Sequence, residues 1–356
     1  MPTLPQHNQD GLLFSDNLLA WYDENARMLP WRYRWPDLAD PYDVFLSELM
    51  LQQTVVATVI PYFLKFKAIW PTITDLAACN EADLLREWAG LGYYARARNM
   101  RKAAIIIAQD FAGQFPENVS ELQKLPGIGP YTAAAIAAFA FDKPAIVIDG
   151  NIERVMSRYL GEKTPLPALK EVLRAAYPDL QPATRHSDFP QAIMDLGARI
   201  CISGKPRCQL CPLQDKCQMA FSDVAETLPI KPKKQPKPRR KGAIFVAISE
   251  DKAVMIRRPD KGLLGGMMVF PTFGWLTSSQ TGADITDAPF AANWQDKGII
   301  RHVFTHFTLE LTIYAASWSQ DASCTLPDDM ALVEPHAQGL SSVMKKVWQA
   351  AQQPDS

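Results

Sequence analysis

The sequence has no apolar run long enough to cross a bilayer. Its longest, Thr132 to Phe141, falls well short of the ~20 residues a spanning helix requires. Its start lacks the basic stretch, apolar core and small-residue cleavage site of an export signal. A soluble cytoplasmic protein is expected, in a reducing compartment where clustered thiols hold metal more often than they pair. An excess of either charge is also missing. Thirty-seven Lys and Arg against 38 Asp and Glu leave a net charge of −1, so any contact with nucleic acid has to come from local basic patches. What is present is length and apolar content: 356 residues, 47% of them hydrophobic, are enough for about two domains with buried cores.

Two basic patches stand out. Tyr93 to Lys102 carries Arg96, Arg98, Arg101 and Lys102 without an acidic residue, and on its own it reads as a solvated helix face. Pro229 to Lys241 has seven basic residues, four prolines and no apolar periodicity, which predicts a semi-rigid linker, placed over 223–241. Upstream, over 1–222, apolar residues recur at helical spacing. Downstream, over 242–356, the period changes: "HFTLELTI" (His306 to Ile313), "GAIFVAISE" and "AVMIRRP" read as strands, and "LSSVMKKVW" sets Leu340, Val343, Met344 and Val347 on one helical face. The expected fold is therefore multidomain, an all-α part followed by a smaller α+β part.

The chemistry-bearing residues fall into a few short stretches. Cys201, Cys208, Cys211 and Cys217 have six, two and five residues between them. Four thiolates satisfy either a zinc ion or an iron–sulfur cluster, and the residues alone leave both open. In "LPGIGPYT", Gly127 and Gly129 permit a tight turn before a helix opened by Pro130, an arrangement whose free amides suit a phosphate. Asp149 in "IVIDGN" precedes a further helix, where an aspartate most often caps.

Taken in order, the LPGIGPYT hairpin, the aspartate of VIDGN and the four-cysteine loop resemble the endonuclease III superfamily of DNA glycosylases, over roughly residues 12 to 220. Further stretches resemble its adenine-excising (MutY-type) branch: "LSELMLQQT", "GLGYYARARN" and "QAIMDLGARIC". The resemblance implies a helix-hairpin-helix domain whose cysteines hold a [4Fe–4S] cluster of structural role, with Lys205, Arg207 and Lys216 facing phosphates. It assigns the catalytic acid to Glu48, a second catalytic carboxylate to Asp149, adenine recognition to Gln191 and a wedge beside the damaged base to Tyr93. Gln52 and Gln53 would contact bases from the active-site helix, and Gly127 and Gly129 the DNA backbone. Strand-cutting relatives carry a lysine where this chain has Tyr131, so the resemblance implies base removal alone.

Residues 258–271, "RPDKGLLGGMMVFP", resemble the entry strands of a Nudix fold, but no Arg-Glu-Glu run for Mg²⁺ follows between Leu276 and Ile300. A Nudix-like domain that binds without hydrolysing is implied, reading 8-oxoguanine through Phe304, Thr305 and His306. Threonine stands there in place of the family's serine. The implied partner is duplex DNA with adenine mispaired with 8-oxoguanine or guanine, acted on by a monomer, at the nucleoid in a bacterial cell. The competing readings are a strand-cutting pyrimidine-lesion glycosylase and a non-enzymatic DNA-binding protein.

The required chemistry fits these residue types. Adenine leaves the sugar readily only when protonated, which asks for a carboxylic acid still neutral near pH 7, and burial beside Leu46, Leu49 and Met50 would raise Glu48 that far. The oxocarbenium-like sugar left behind is stabilised by a carboxylate, the part given to Asp149.

Overall fold

A computed structural model describes residues 6–232, 236–259, 261–274, 284–319 and 326–353, with the side chains of 6–12 set aside. Cys324 and linker residues 233–235 lie outside the described residues. The chain divides into two compact units, residues 1–78 with 99–233 and residues 79–98 with 234–356.

The first unit is helical. Helices α1 (Gln6–Asn25), α2 (Pro41–Leu51), α3 (Val56–Ile69) and α4 (Ile73–Ala78) come first. Asp40 sets the start of α2, accepting a hydrogen bond from the Tyr42 amide at 2.8 Å just before Pro41. After α5 (Glu81–Trp88), which belongs to the second unit, and α6 (Ala95–Asp110), within which the unit boundary falls, come α7 (Val119–Leu122), α8 (Pro130–Phe141), α9 (Gly150–Tyr159), α10 (Leu169–Leu180) and α11 (Asp188–Arg199). Helix α8 packs on α2, and its buried alanines 133–135, 137 and 138 allow close approach. Helix α11 packs between α9 and α1.

Gly127 makes the α7–α8 turn possible for two reasons. Its φ is +79°, and a Cβ there would stand 2.8 Å from the Asn99 Cβ.

The second unit is built on a mixed sheet of β1 (Arg239–Ser249), β2 (Lys252–Arg257), β3 (Met268–Val269), β4 (Thr272–Phe273), β5 (Gln295–Val303), β6 (Thr308–Ser317) and β7 (Met330–Val333), with α12 (Ser342–Ala351) after it. The sheet order is β3-β2-β1-β6-β5, with β1 and β6 parallel and β5 and β6 an antiparallel hairpin. Between residues 284 and 300 the described chain forms a 3₁₀ turn and the start of β5, and no α-helix.

Three boundaries differ from expectation. Arg239, Arg240 and Lys241, expected in the linker, open β1 opposite Thr308, Leu309 and Glu310, because no proline follows Pro238 to remove a ladder donor. Strand β6 starts at Thr308 rather than His306, which sits in the hairpin turn closed by the Phe304 amide on the Phe307 carbonyl at 2.9 Å. Residues 79–98, expected in the helical domain, belong to the sheet-bearing unit. There a Cβ on Gly339 would come within 3.2 Å of the Arg86 Cα, Tyr94 Oη donates to the Gly339 carbonyl at 3.3 Å and the buried Arg98 donates to the Gly265 carbonyl at 2.6 Å. Arg98 therefore does not lie on a solvated helix face. Its partner is 167 residues away in sequence, beyond the reach of a periodicity argument.

Candidate active site

A cleft of about 1060 Å³ opens in the helical unit, lined by residues from α2, the α7–α8 turn, the start of α9 and the middle of α11. Glu48, Gln52, Gln53, Gly127, Gly129, Tyr131, Asp149 and Gln191 all line it. Sequence reasoning named them from four separate stretches.

Glu48 is buried on α2, a helix whose neighbouring Leu46, Leu49 and Met50 are also buried. Loss of water pushes its carboxyl up from 4.5 to about 7, against the lowering effect of a hydrogen bond from Tyr131; the charge of Asp149 raises it and Arg32 lowers it. The Tyr131 phenol is pushed well above its ordinary value, mainly by burial and then by the charges of Glu48 and Asp149.

Asp149 caps α9. Its Oδ1 accepts from the amides of Asn151 (2.9 Å) and Ile152 (2.7 Å), and Oδ2 from Asn151 Nδ2 (2.8 Å). The capping reading is thus met, and the bonds that start the helix also fix the carboxylate at the cleft. Gln191 is buried on α11 and donates through Nε2 to the Ser187 carbonyl at 2.8 Å. Gln52 and Gln53 lie past the end of α2 rather than on it. Gln53 takes a left-handed φ of 60°, which ends the helix, and Gln52 Nε2 reaches Thr132 Oγ1 at 3.3 Å.

Sequence reasoning missed a charged support behind the cleft. Asp195 is fully buried and receives Arg27 N (2.8 Å), Arg27 Nε (2.7 Å) and Arg32 Nη1 (2.8 Å). Both arginines line the cleft. The available signal was an aspartate among the apolar residues of a helix, since a buried carboxylate has to find a partner; the cation four residues on, Arg199, donates to the Asn25 carbonyl instead.

The four loop cysteines are free thiols that line one small cavity together with Arg158. Burial raises the Cys211 thiol to about 12 and raises Cys217 as well. Arg158, also buried and also missed, donates to the Ile202 carbonyl (2.8 Å), the Gly204 carbonyl (3.1 Å) and Cys201 Sγ (3.4 Å). Among the described residues no three ligating side chains converge as a single ion requires. Arg154 joins this loop to the site, donating to the Cys201 carbonyl (2.7 Å) and to Asn151 Oδ1 (2.9 Å), the residue that holds Asp149.

In the second unit, Phe304, Thr305 and His306 occupy the β5–β6 turn. The Phe304 ring stacks on Phe307, and its carbonyl accepts from Lys237 Nζ at 2.7 Å. Tyr93, with a left-handed φ of 49°, hydrogen-bonds through its hydroxyl to that of Thr305.

Comparison with known proteins decides the family. Residues 46–178 match the model of the HhH-GPD superfamily base excision DNA repair proteins, and residues 243–350 that of the NUDIX domain. The chain is 32% identical over 403 residues to the adenine DNA glycosylase of Homo sapiens, covering 95% of this chain and 74% of that one. The chain belongs to the adenine DNA glycosylases. The glycosylase is also 36% identical over 264 residues to the adenine DNA glycosylase of Buchnera aphidicola subsp. Baizongia pistaciae, covering 74% of each. A solved thermostable thymine-DNA glycosylase superposes with a TM-score of 0.53 at 27% identity, over 59% of this chain and 96% of that one. The resemblance drawn from the motifs is met in both domains, and no described helix of the enzyme is long and apolar enough to cross a membrane.

Proposed function

We propose that the enzyme removes adenine from duplex DNA where it is mispaired with 8-oxoguanine, and less readily with guanine, by hydrolysing the N-glycosidic bond without cutting the strand. One observation carries this reading: a buried carboxyl near neutrality, Glu48, and a fixed carboxylate, Asp149, share one cleft. Two carboxyl groups in unlike surroundings divide acid from anion.

In the reaction, Glu48 gives its proton to adenine N7 as the base leaves, and Tyr131 holds the carboxyl in place. Asp149 stabilises the positive charge on the sugar, and water completes the substitution at C1′. Gln191 has its amide nitrogen engaged by Ser187, which leaves its carbonyl oxygen to accept from the adenine amine. Gln52 and Gln53 contact bases beside the extruded nucleotide, and Gly127 and Gly129 approach the backbone. Thr305, with Phe304, His306 and Tyr93, reads the opposite base: guanine offers an acceptor at N7 and 8-oxoguanine a donor.

Cys201, Cys208, Cys211 and Cys217 would hold a [4Fe–4S] cluster, which would cross-link the loop bearing Lys205, Arg207 and Lys216. The enzyme acts as a soluble monomer in the cytoplasm. Tyr131 is the feature against a strand-cutting reading, since a phenol cannot form an imine with the sugar.

The test uses duplexes carrying A:8-oxoguanine, A:G, A:T or an oxidised pyrimidine. The expected result is adenine release from the first two, with an abasic strand that breaks only in alkali. Pyrimidine release with strand cutting, or binding without release of any base, would refute the proposal.

A further inference from the structure

The segment between α1 and α2 contains "RYRWPDLAD", Arg32 to Asp40, whose residues 33–39 none of the roles above uses. It is held at many points. Arg32 is bound to Asp195, and the Tyr33 hydroxyl hydrogen-bonds the Asp43 carboxyl, itself paired with Lys67 at 2.6 Å. Arg34 Nη1 reaches the Asp23 carbonyl at 3.2 Å, the Asp37 amide closes a turn on the Arg34 carbonyl at 2.9 Å, and Asp40 caps α2. Yet the apolar side chains on this braced segment face water: Tyr33 is 44%, Trp35 41% and Leu38 39% exposed.

Ordering a loop around exposed aromatic rings costs conformational entropy and gains no core. Exposed apolar surface of this kind marks a contact made on binding. Its place identifies the ligand, because Tyr33, Asp37 and Ala39 line the same cleft as Glu48 and Asp149. Whatever rests on the shelf is therefore continuous with what enters the cleft. Two aromatic residues flanking an exposed arginine in sequence, Tyr33 and Trp35 about Arg34, are also the composition that holds unpaired nucleic acid, rings against base faces and cation against phosphate.

Resting on the glycosylase reading above, we propose that Tyr33 and Trp35 form a stacking shelf for an unpaired base of the target strand, next to the extruded adenosine. Extrusion removes a stacking partner from the neighbouring base, and the shelf supplies a replacement. It would hold the extruded state open from the cleft side and favour adenines whose neighbour stacks well, a purine over a pyrimidine.

The test uses the full-length enzyme and a duplex in which a 2′-fluorinated adenosine, resistant to excision, stands opposite 8-oxoguanine, with 2-aminopurine on one side of it or the other. Trp35→Ala is expected to weaken binding about tenfold or more and to change the 2-aminopurine fluorescence on one flank only. Trp35→Phe, which keeps a ring, should retain most of both. Trp35→Leu keeps apolar bulk without a ring and should behave as Trp35→Ala, which separates stacking from packing if the alanine variant melts lower. Unchanged affinity and fluorescence in Trp35→Ala would overturn the proposal and leave the shelf to a protein partner. An equal loss on a fully paired A:T duplex would overturn it too, in favour of plain backbone contact. Adenine release by the wild type, measured in parallel on the cleavable duplex, keeps the two readings apart: no release sinks the glycosylase reading, whereas normal release with unchanged Trp35→Ala binding sinks only the shelf.

Discussion

Tyr93 and Thr305, 212 residues apart in the chain, hydrogen-bond to each other through their hydroxyls. The residue expected to wedge into the duplex is thereby tied to the residue expected to read the base opposite adenine. Tyr93→Phe removes the tie and leaves the ring. Its expected effect is a smaller preference for A:8-oxoguanine over A:G, with excision from A:G little changed. Single-turnover rates on the two duplexes check this, and a preference equal to wild type would make the contact incidental. Thr305→Ser keeps the hydroxyl and should preserve the preference.

Glu48→Gln is expected to remove excision by at least the ~10²–10⁴-fold that a general acid contributes, while mispair binding remains. The pH dependence has a definite sign. Because the proposed mechanism uses the acid form and burial pushes the carboxyl up to about 7, the wild-type excision rate should fall as pH rises through 7.

The same burial predicts a stability effect. A carboxyl raised from 4.5 to about 7 in the folded protein binds its proton more tightly there than in the unfolded chain. Its contribution is therefore fully present below pH 4.5 and is lost as pH rises through 7, an effect of about 3 kcal/mol. Glu48→Gln should accordingly gain in melting temperature relative to wild type between pH 5 and pH 8. A constant difference across that range would mean that Glu48 ionises without cost.

Tyr131→Lys places an amine on the first turn of α8, beside Glu48 and the Asp149 carboxylate. The variant should be trapped on a pre-formed abasic site by borohydride and should gain strand cleavage, whereas the wild type should not. Lys170 also lines the cleft, paired with Glu153 at 3.2 Å, so Lys170→Gln is the control for background trapping. Wild-type trapping as efficient as the variant's, and insensitive to Lys170→Gln, would reopen the strand-cutting reading.

The cysteine loop predicts a straw-brown protein containing iron. Stoichiometric zinc without iron would reject the cluster. Replacing Cys201 or Cys211 with alanine should lower iron content and thermal stability together, and should impair excision through the Arg154–Asn151–Asp149 connection. Cys79, distant in sequence from that loop and not disulfide-bonded, should be replaceable by alanine with iron content unchanged.

A chain ending at Ser222 retains Glu48, Asp149 and all four loop cysteines but lacks Thr305. It should keep its iron and lose the preference for 8-oxoguanine over guanine. It also strips residues 79–98 of the partners they have in their own unit, including Gly339 and Gly265. Hydrogen exchange across 79–98 should therefore rise sharply while that of α8 and α9 stays slow. Unchanged protection of 79–98 would mean the segment is held without the sheet.

What the sequence determined by itself were features written within a few residues of one another. The cap at Asp149, the glycine turn before Pro130 and the spacing of Cys201 to Cys217 are local, because a capping bond or a turn spans two or three residues and needs no distant partner. Tyr131 and Asp149 sit on such stretches, whereas Glu48 was reached only through the resemblance of LSELMLQQT to a known family. Alternation located parts of β1, β2 and β6 but not β3, β4, β5 or β7, and it missed the start of β6 because a hairpin turn and a strand end can carry the same residue types. What only the tertiary structure decided were the pairings that join remote segments. Asp195 with Arg27 and Arg32, Arg158 with the cysteine loop, Arg98 with Gly265 and Tyr93 with Thr305 unite residues 43 to 212 positions apart. A buried charge announces in sequence that it needs a partner, but which partner it finds depends on how the elements pack, and neither periodicity nor spacing encodes that.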